Sequence, residues 1–141
     1  MSTFNEKVGI SINSALLFAL VNLPQAYAFT NSLSDVDLVD YITKCPTSAG
    51  LVLHAIVFFV ITYLSMRKSK ADTGVKIKHS LYGTLIFFLV SNPAVFSVVA
   101  SFLGNQFASK EGCPTLQGIV LHAVVYCVIL VAVMYLPEKN Q

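Results

Sequence analysis

"KCPTSAGLVLHAIVF" (Lys44–Phe58) and "GCPTLQGIVLHAVVY" (Gly112–Tyr126) are near copies lying 68 positions apart, sharing C-P-T-x-x-G-x-V-L-H-A. Upstream of each lies a second match. "LLFALVNLPQAY" (Leu16–Tyr27) sets Leu16, Phe18, Leu20, Val21 and Pro24 over Leu85, Phe87, Leu89, Val90 and Pro93 of "LIFFLVSNPAVF" (Leu85–Phe96), at an offset of 69. The chain therefore reads as a duplicated unit: a first helix with proline near its far end, a polar loop, C-P-T, and a second helix. The connecting loop is one residue shorter in the second copy.

Composition sets the solvent. The 141 residues are 55% apolar and 11% charged, without tryptophan, and the mean hydropathy is +0.71. Such a chain has too few polar groups to cover a water-facing surface. The charges are segregated, which leaves four uncharged runs: Val8–Ser34, Cys45–Met66, Ser80–Ser109 and Gly112–Pro137. Each exceeds the ~20 residues that cross a ~30 Å hydrocarbon core. The expected fold is all-α and integral to a membrane, with four transmembrane helices at about 8–30, 46–66, 80–103 and 114–136. They form two parallel helical-hairpin repeats, 1–66 and 79–141, around a basic linker at 67–78. The run ending "QAYAFT" has a small-x-small pattern after an apolar stretch, but Glu6 cancels Lys7 ahead of it, so an uncleaved first span is expected.

With two spans per repeat, both copies cross in the same sense, which predicts a pseudo-two-fold axis along the membrane normal rather than inverted repeats. Lys7, Arg67, Lys68, Lys70, Lys76, Lys78 and Lys139 fall on one side and Lys44 and Lys110 on the other. This bias places both termini and the linker in the cytoplasm. Linker residues Arg67, Lys68, Lys70, Lys76 and Lys78 are expected to meet lipid headgroups or an acidic partner surface. The segment "NSLSDVDLVDYITK" (Asn31–Lys44) is too polar to span and is expected at the interface.

Within the repeated block, Pro46 and Pro114 suit a first helical turn, with Cys45 and Cys113 at or just before the helix start. Thr47 and Thr115 are placed to bond a free backbone group there. Cys45 and Cys113 either form a disulfide between the repeats, if their Cα atoms come within about 4.4–6.8 Å, or stay separate small thiols. An extracytosolic compartment permits the bond. Cys127 stands opposite Phe59 and is expected to pack. Gly50 and His54, like Gly118 and His122, are spaced i, i+4 on one helix face. The glycines are expected to admit a neighbouring helix. Eight residues separate Pro46 from His54, about 12 Å of helix, which puts the imidazoles deep in the bilayer. There a polar group needs a partner. By depth these are Asn22 for His54 and Ser91 or Asn92 for His122, giving a neutral ring that fixes helix rotation. Pro24 and Pro93 complete the set of structural residues.

Catalytic and cofactor chemistry find little support. One zinc ion cannot be shared by cysteines and histidines about 12 Å apart along each helix, because its bonds are about 2.0–2.3 Å. Haem held between His54 and His122 is a minor alternative with nothing else to suggest it. The seven Asp and Glu lie outside or at the edges of the spans, and no nucleophile–base set or phosphate loop is present. Neither catalysis, a resident cofactor or metal, nor nucleic-acid binding is expected. The other reading is a small ion channel or transporter with a central His pair.

The pattern of an apolar helix ending "LVNLPQAY", a polar loop and then "CPTSAGLVLHAIVFFVITYLSM" resembles small membrane proteins of large icosahedral double-stranded DNA viruses. The resemblance covers nearly all of the chain, twice over, and is most specific at C-P-T-x-x-G-x-x-L-H. Ala55 and Ala123 after the histidines and the long basic linker depart from the commonest form. It implies a structural virion protein in the inner membrane beneath the capsid shell, resident in a host membrane during assembly. Capsid proteins, other membrane proteins, or further copies in a homo-oligomer or lattice would be its partners. It carries no catalytic residues over to this chain.

Overall fold

The computed structural model describes residues 4–40, 45–67, 72–108 and 113–135. These form six α-helices: α1 (Phe4–Asn22), α2 (Pro24–Ser32), α3 (Ser48–Ser65), α4 (Thr73–Val90), α5 (Pro93–Leu103) and α6 (Leu116–Met134). A single 3₁₀ turn, Asn105–Phe107, precedes α6. The described residues contain no strand, only isolated bridges at Val39–Pro46 and Ala108–Pro114.

Helices α1, α3 and α6 are each long and apolar enough to cross a membrane, and α4 with α5 qualifies as one interrupted span bent by 55°. The protein is thus a helical chain with three to four candidate spans. At 18 or 19 residues the unbroken helices are about 27–28 Å long, close to the ~30 Å of a hydrocarbon core. Their outward faces are apolar: Leu16, Leu20, Leu85, Leu89, Val120, Val124 and Val128 are all exposed.

The expected spans 8–30 and 80–103 are not continuous helices. Proline has no N–H for the ladder, its ring crowds the preceding turn, and it drives the residue before it out of helical geometry. Leu23 accordingly sits at φ −61°, ψ 141° and Asn92 at φ −64°, ψ 131°. Each helix stops there, and Pro24 and Pro93 begin a new one. The linker differs from expectation as well. Thr73–Lys78 is already helical, so α4 starts at Thr73 rather than at 80. Lys76 and Lys78 lie on this helical extension and Arg67 on the turn after α3, whereas Lys68 and Lys70 lie outside the described residues, as do Lys44, Lys110 and Lys139.

Helix pairing crosses the two halves of the sequence. The most extensive contacts join α1 to α6 and α3 to α4, while α1–α3 and α4–α6 meet over shorter stretches. At the end where α1 begins and α6 finishes, Lys7 Nζ lies 3.9 Å above the Tyr135 ring, within cation–π range. Ser11 Oγ, fully buried, lies 3.8 Å from Met134 Sδ. The core is centred on Phe18, Phe58, Phe87 and Tyr126, none of which is exposed. Cys127 packs at its margin, half-buried and unpaired.

Candidate functional site

The C-P-T corners shape one end of the bundle. In both, threonine is the N-cap: Gly50 N–H donates to Thr47 Oγ1 at 3.1 Å, and Gly118 N–H to Thr115 Oγ1 at 3.0 Å. A side-chain oxygen thus takes one of the orphan donors of the first turn. The helices begin at Ser48 and Leu116, so Pro46 and Pro114 stand ahead of the cap rather than in the first turn. Their place is the isolated bridge, where neighbours form the bonds: Thr47 N–H donates to Leu38 O at 3.0 Å and Asp40 N–H to Cys45 O at 2.7 Å. At such a position the residue's own N–H is not needed.

The two glycines admit a loop rather than a helix, contrary to the expectation. A Cβ on Gly50 would run into the Leu38 carbonyl, and one on Gly118 into the Phe107 carbonyl. The polar loop folds back over each helix start, tied by Thr47 Oγ1–H to Asp37 O and Thr115 Oγ1–H to Gln106 O. Cys45 and Cys113 are joined in a disulfide with Cα atoms 4.9 Å apart, closing a loop across 68 positions.

Deeper in the bundle lie the histidines, each 2% exposed. Their main partners are backbone carbonyls, not the amide and hydroxyl side chains expected from depth. His54 Nδ1 is 2.8 Å from Val21 O, and His122 Nδ1 is 3.0 Å from Val90 O. Both carbonyls belong to the last turn before a proline break, where the chain leaves the helix and stops supplying N–H donors. A buried carbonyl without a donor is costly in lipid, and the imidazole supplies the donor from the neighbouring helix. Each ring also lies flat against an aromatic side chain just past the break. Tyr27 stacks on His54 at 3.7 Å between centroids and 4° between planes, and Phe96 on His122 at 3.6 Å and 5°.

The two histidines differ in their second nitrogen. Thr30 Oγ1 lies 2.8 Å from His54 Nε2. With no carboxylate among its contacts, the ring is assigned as neutral, its hydrogen on Nδ1 facing Val21 O, so Thr30 donates its one hydroxyl hydrogen to Nε2 rather than to Ala26 O or Tyr27 O, which lie farther off at 3.2 and 3.1 Å. His122 Nε2 has no partner among the described residues. Asn22, expected to serve His54, instead donates through Nδ2 to Phe18 O at 2.9 Å and Ser91 Oγ at 3.0 Å. Asn92 caps α5, accepting Ala94 N–H through Oδ1 at 2.9 Å.

Between the histidine layer and the lysine end, four rings close the centre. Phe18 stacks on Tyr126 at 4.9 Å and Phe58 on Phe87 at 4.6 Å, while Phe18–Phe87 (5.5 Å) and Phe58–Tyr126 (5.9 Å) meet edge to face. Tyr126 Oη–H donates to Gly83 O at 3.2 Å.

No group of three or more His, Cys, Asp or Glu with metal-binding geometry is present among the described residues. An iron shared by the two imidazoles would have to displace Thr30 from His54. Thr30, Tyr27, Phe96 and the rings of Phe58 and Tyr126 carry no motif of their own in the sequence, although Tyr27 and Phe96 stand 69 positions apart within the quoted repeats, as the matched Phe18 and Phe87 do. Compared with protein-family models, curated proteins and solved structures, the chain matches none of them.

Proposed function

We propose that this is a structural, non-catalytic membrane protein made of two parallel hairpin repeats, serving in the inner membrane of a large DNA virus particle. The repeat reading is supported by four contacts between residues one repeat apart: Phe18 with Phe87, Asn22 with Ser91, Cys45 with Cys113, and Phe58 with Tyr126. They lie at successive levels of the bundle, along the line where a pseudo-two-fold axis would run. The virion reading comes from the resemblance of both C-P-T blocks and their preceding helices to small viral membrane proteins. On that reading the lysine end, with Lys7, Arg67, Lys76 and Lys78, faces the cytoplasm during assembly. The short loops and tails would then contact capsid or membrane partners, in a lattice or homo-oligomer.

The observation that carries the structural role is how the polar side chains are used. His54, His122, Thr47, Thr115 and Asn22 all bond backbone of this chain, while four packed rings fill the centre where a conducting path would lie. Their chemistry is directed at holding helix breaks and helix starts. The test is location and conductance. The chain should co-purify with icosahedral particles and sit within their bilayer, and the pure protein in liposomes should leave ion flux at background. Flux abolished by the double change His54→Ala, His122→Ala would establish the channel reading instead.

A further inference from the structure

We propose that the lysine-side half of the bundle encloses an ordered water site, held by the hydroxyls of Thr62, Ser80 and Thr84 beneath the ring quartet. Ser80 is fully buried and Thr62 is 8% exposed. Their oxygens, with that of Thr84, are covered and have no hydrogen-bond partner among the described residues. In a bundle surrounded by lipid such hydroxyls are costly unless a donor or acceptor reaches them. Buried polar groups that the protein leaves unpaired are the usual partners of internal water.

Helix register brings the three together. Phe58 of α3 stacks on Phe87 of α4 at 4.6 Å, and a Cβ on Gly83 would stand 3.9 Å from the Phe58 ring, so Phe58 lies between Gly83 and Phe87. The two helices follow one another in the chain and run antiparallel through their long contact. One turn toward the lysine end, about 6 Å along each axis, leads from Phe58 to Thr62 on α3 and to the stretch Ser80–Gly83 on α4. Thr62 continues the buried stripe of Leu51, Ala55 and Phe58, and Ser80 that of Gly83 and Phe87, so both face the core at one level. Thr84, four residues after Ser80, shares its side of α4. The side chains of α4 are small here, serine and glycine where the next turn carries Phe87, and polar groups that face one another without touching are bridged by water. Tyr126 Oη, which donates to Gly83 O at 3.2 Å, keeps its lone pairs for the same site.

The chemistry selects water over other occupants. Hydroxyls both donate and accept, which an apolar molecule cannot answer. A cation would need a countercharge, and α3 and α4 carry no Asp or Glu. An internal water takes about three partners, and Thr62, Ser80, Thr84 and Tyr126 supply them. The site depends neither on the viral reading nor on the repeat correspondence.

The full chain, in lipid nanodiscs with methyl-labelled threonine and valine, is tested by NMR for magnetisation transfer from long-lived water. Transfer is expected at the Thr62 and Thr84 methyl groups and not at Val60, which lies two residues before Thr62 and is 46% exposed on the outer surface. This measurement uses the unaltered chain, so it does not depend on any variant folding. Thr62→Val then removes one hydroxyl while keeping the shape, and Ser80→Ala removes another. Each change alone should lower the folding equilibrium constant between about threefold and about fifteenfold, the range of intramembrane hydrogen bonds. Because either one releases the shared water, the double change should cost little more than a single one. Absence of transfer at Thr62 in the unaltered chain would overturn the proposal. A Thr62→Val chain more stable than the original would do the same, since it marks a hydroxyl buried without any partner. So would fully additive losses, the result expected if each hydroxyl turns separately to a carbonyl of its own helix.

Discussion

Replacing Gly50 with alanine separates two roles for glycine in the repeated block. Its Cβ would come within 3.0 Å of the Leu38 carbonyl carbon and 3.3 Å of its Cα, with the oxygen nearer still. These are backbone atoms, so no side chain can swing away. The Leu38 peptide must lift off the helix, losing the Thr47 N–H bond at 3.0 Å and straining the Thr47 hydroxyl bond to Asp37 O at 2.8 Å. Each is worth about 1 kcal/mol net. Leu38 is 3% exposed, and loosening it forfeits part of the ~1.5–3 kcal/mol from burying such a side chain. The better helix propensity of alanine returns just under 1 kcal/mol. The expected net destabilisation is about 2–3 kcal/mol. Denaturant unfolding in mixed micelles with the disulfide intact measures it. The control is Gly9→Ala, whose Cβ would have nothing within 4 Å and which should be neutral or mildly stabilising. If Gly50→Ala proves no more harmful than Gly9→Ala, the loop does not rest on that helix start and the account of the C-P-T corner fails. Gly118→Ala, facing the Phe107 carbonyl, should behave like Gly50→Ala.

Further outcomes follow from the same geometry. His54→Phe keeps a flat ring against Tyr27 but loses two hydrogen bonds, so it should destabilise by about 1–3 kcal/mol. His122→Phe loses one and should cost about half as much in the same unfolding assay. Gly83→Ala brings a methyl to 3.2 Å from Tyr126 Oη; its penalty should shrink in a Tyr126→Phe background, which a double-mutant cycle reads directly. Reduction should slow the chain's migration on non-reducing gels unless Cys45 or Cys113 is changed to serine. Loss of that bond should lower stability by up to about 4 kcal/mol, given the size of the loop it closes.

The spans were legible because charge is a strong signal: a chain of 141 residues builds no soluble core large enough to hide four uncharged runs, each longer than a bilayer is thick. The helix starts were legible too, since threonine three residues before glycine is a local device. The breaks were read incompletely. Pro24 and Pro93 are visible, but the carbonyls they strand, Val21 and Val90, have no letter of their own in the sequence, so by depth alone the histidine partners read as Asn22 and as Ser91 or Asn92. Gly50 and Gly118 were assigned to helix approach because nothing local shows that Leu38 and Phe107 come back over them. The pairing of α1 with α6 and α3 with α4 was hidden for another reason. Helices apolar on every side do not declare which face is inward, and in lipid the choice falls to shape and a few hydrogen bonds.

The ties between the halves are placed at both ends of the molecule. The disulfide Cys45–Cys113 clasps one end, whereas at the lysine end the polypeptide itself passes from α3 to α4, beside Lys7 over the Tyr135 ring and Ser11 against Met134. The halves are thus covalently pinned top and bottom. A single proteolytic cut between α3 and α4 should therefore leave one covalently joined species, which comes apart into two fragments only when the Cys45–Cys113 bond is reduced.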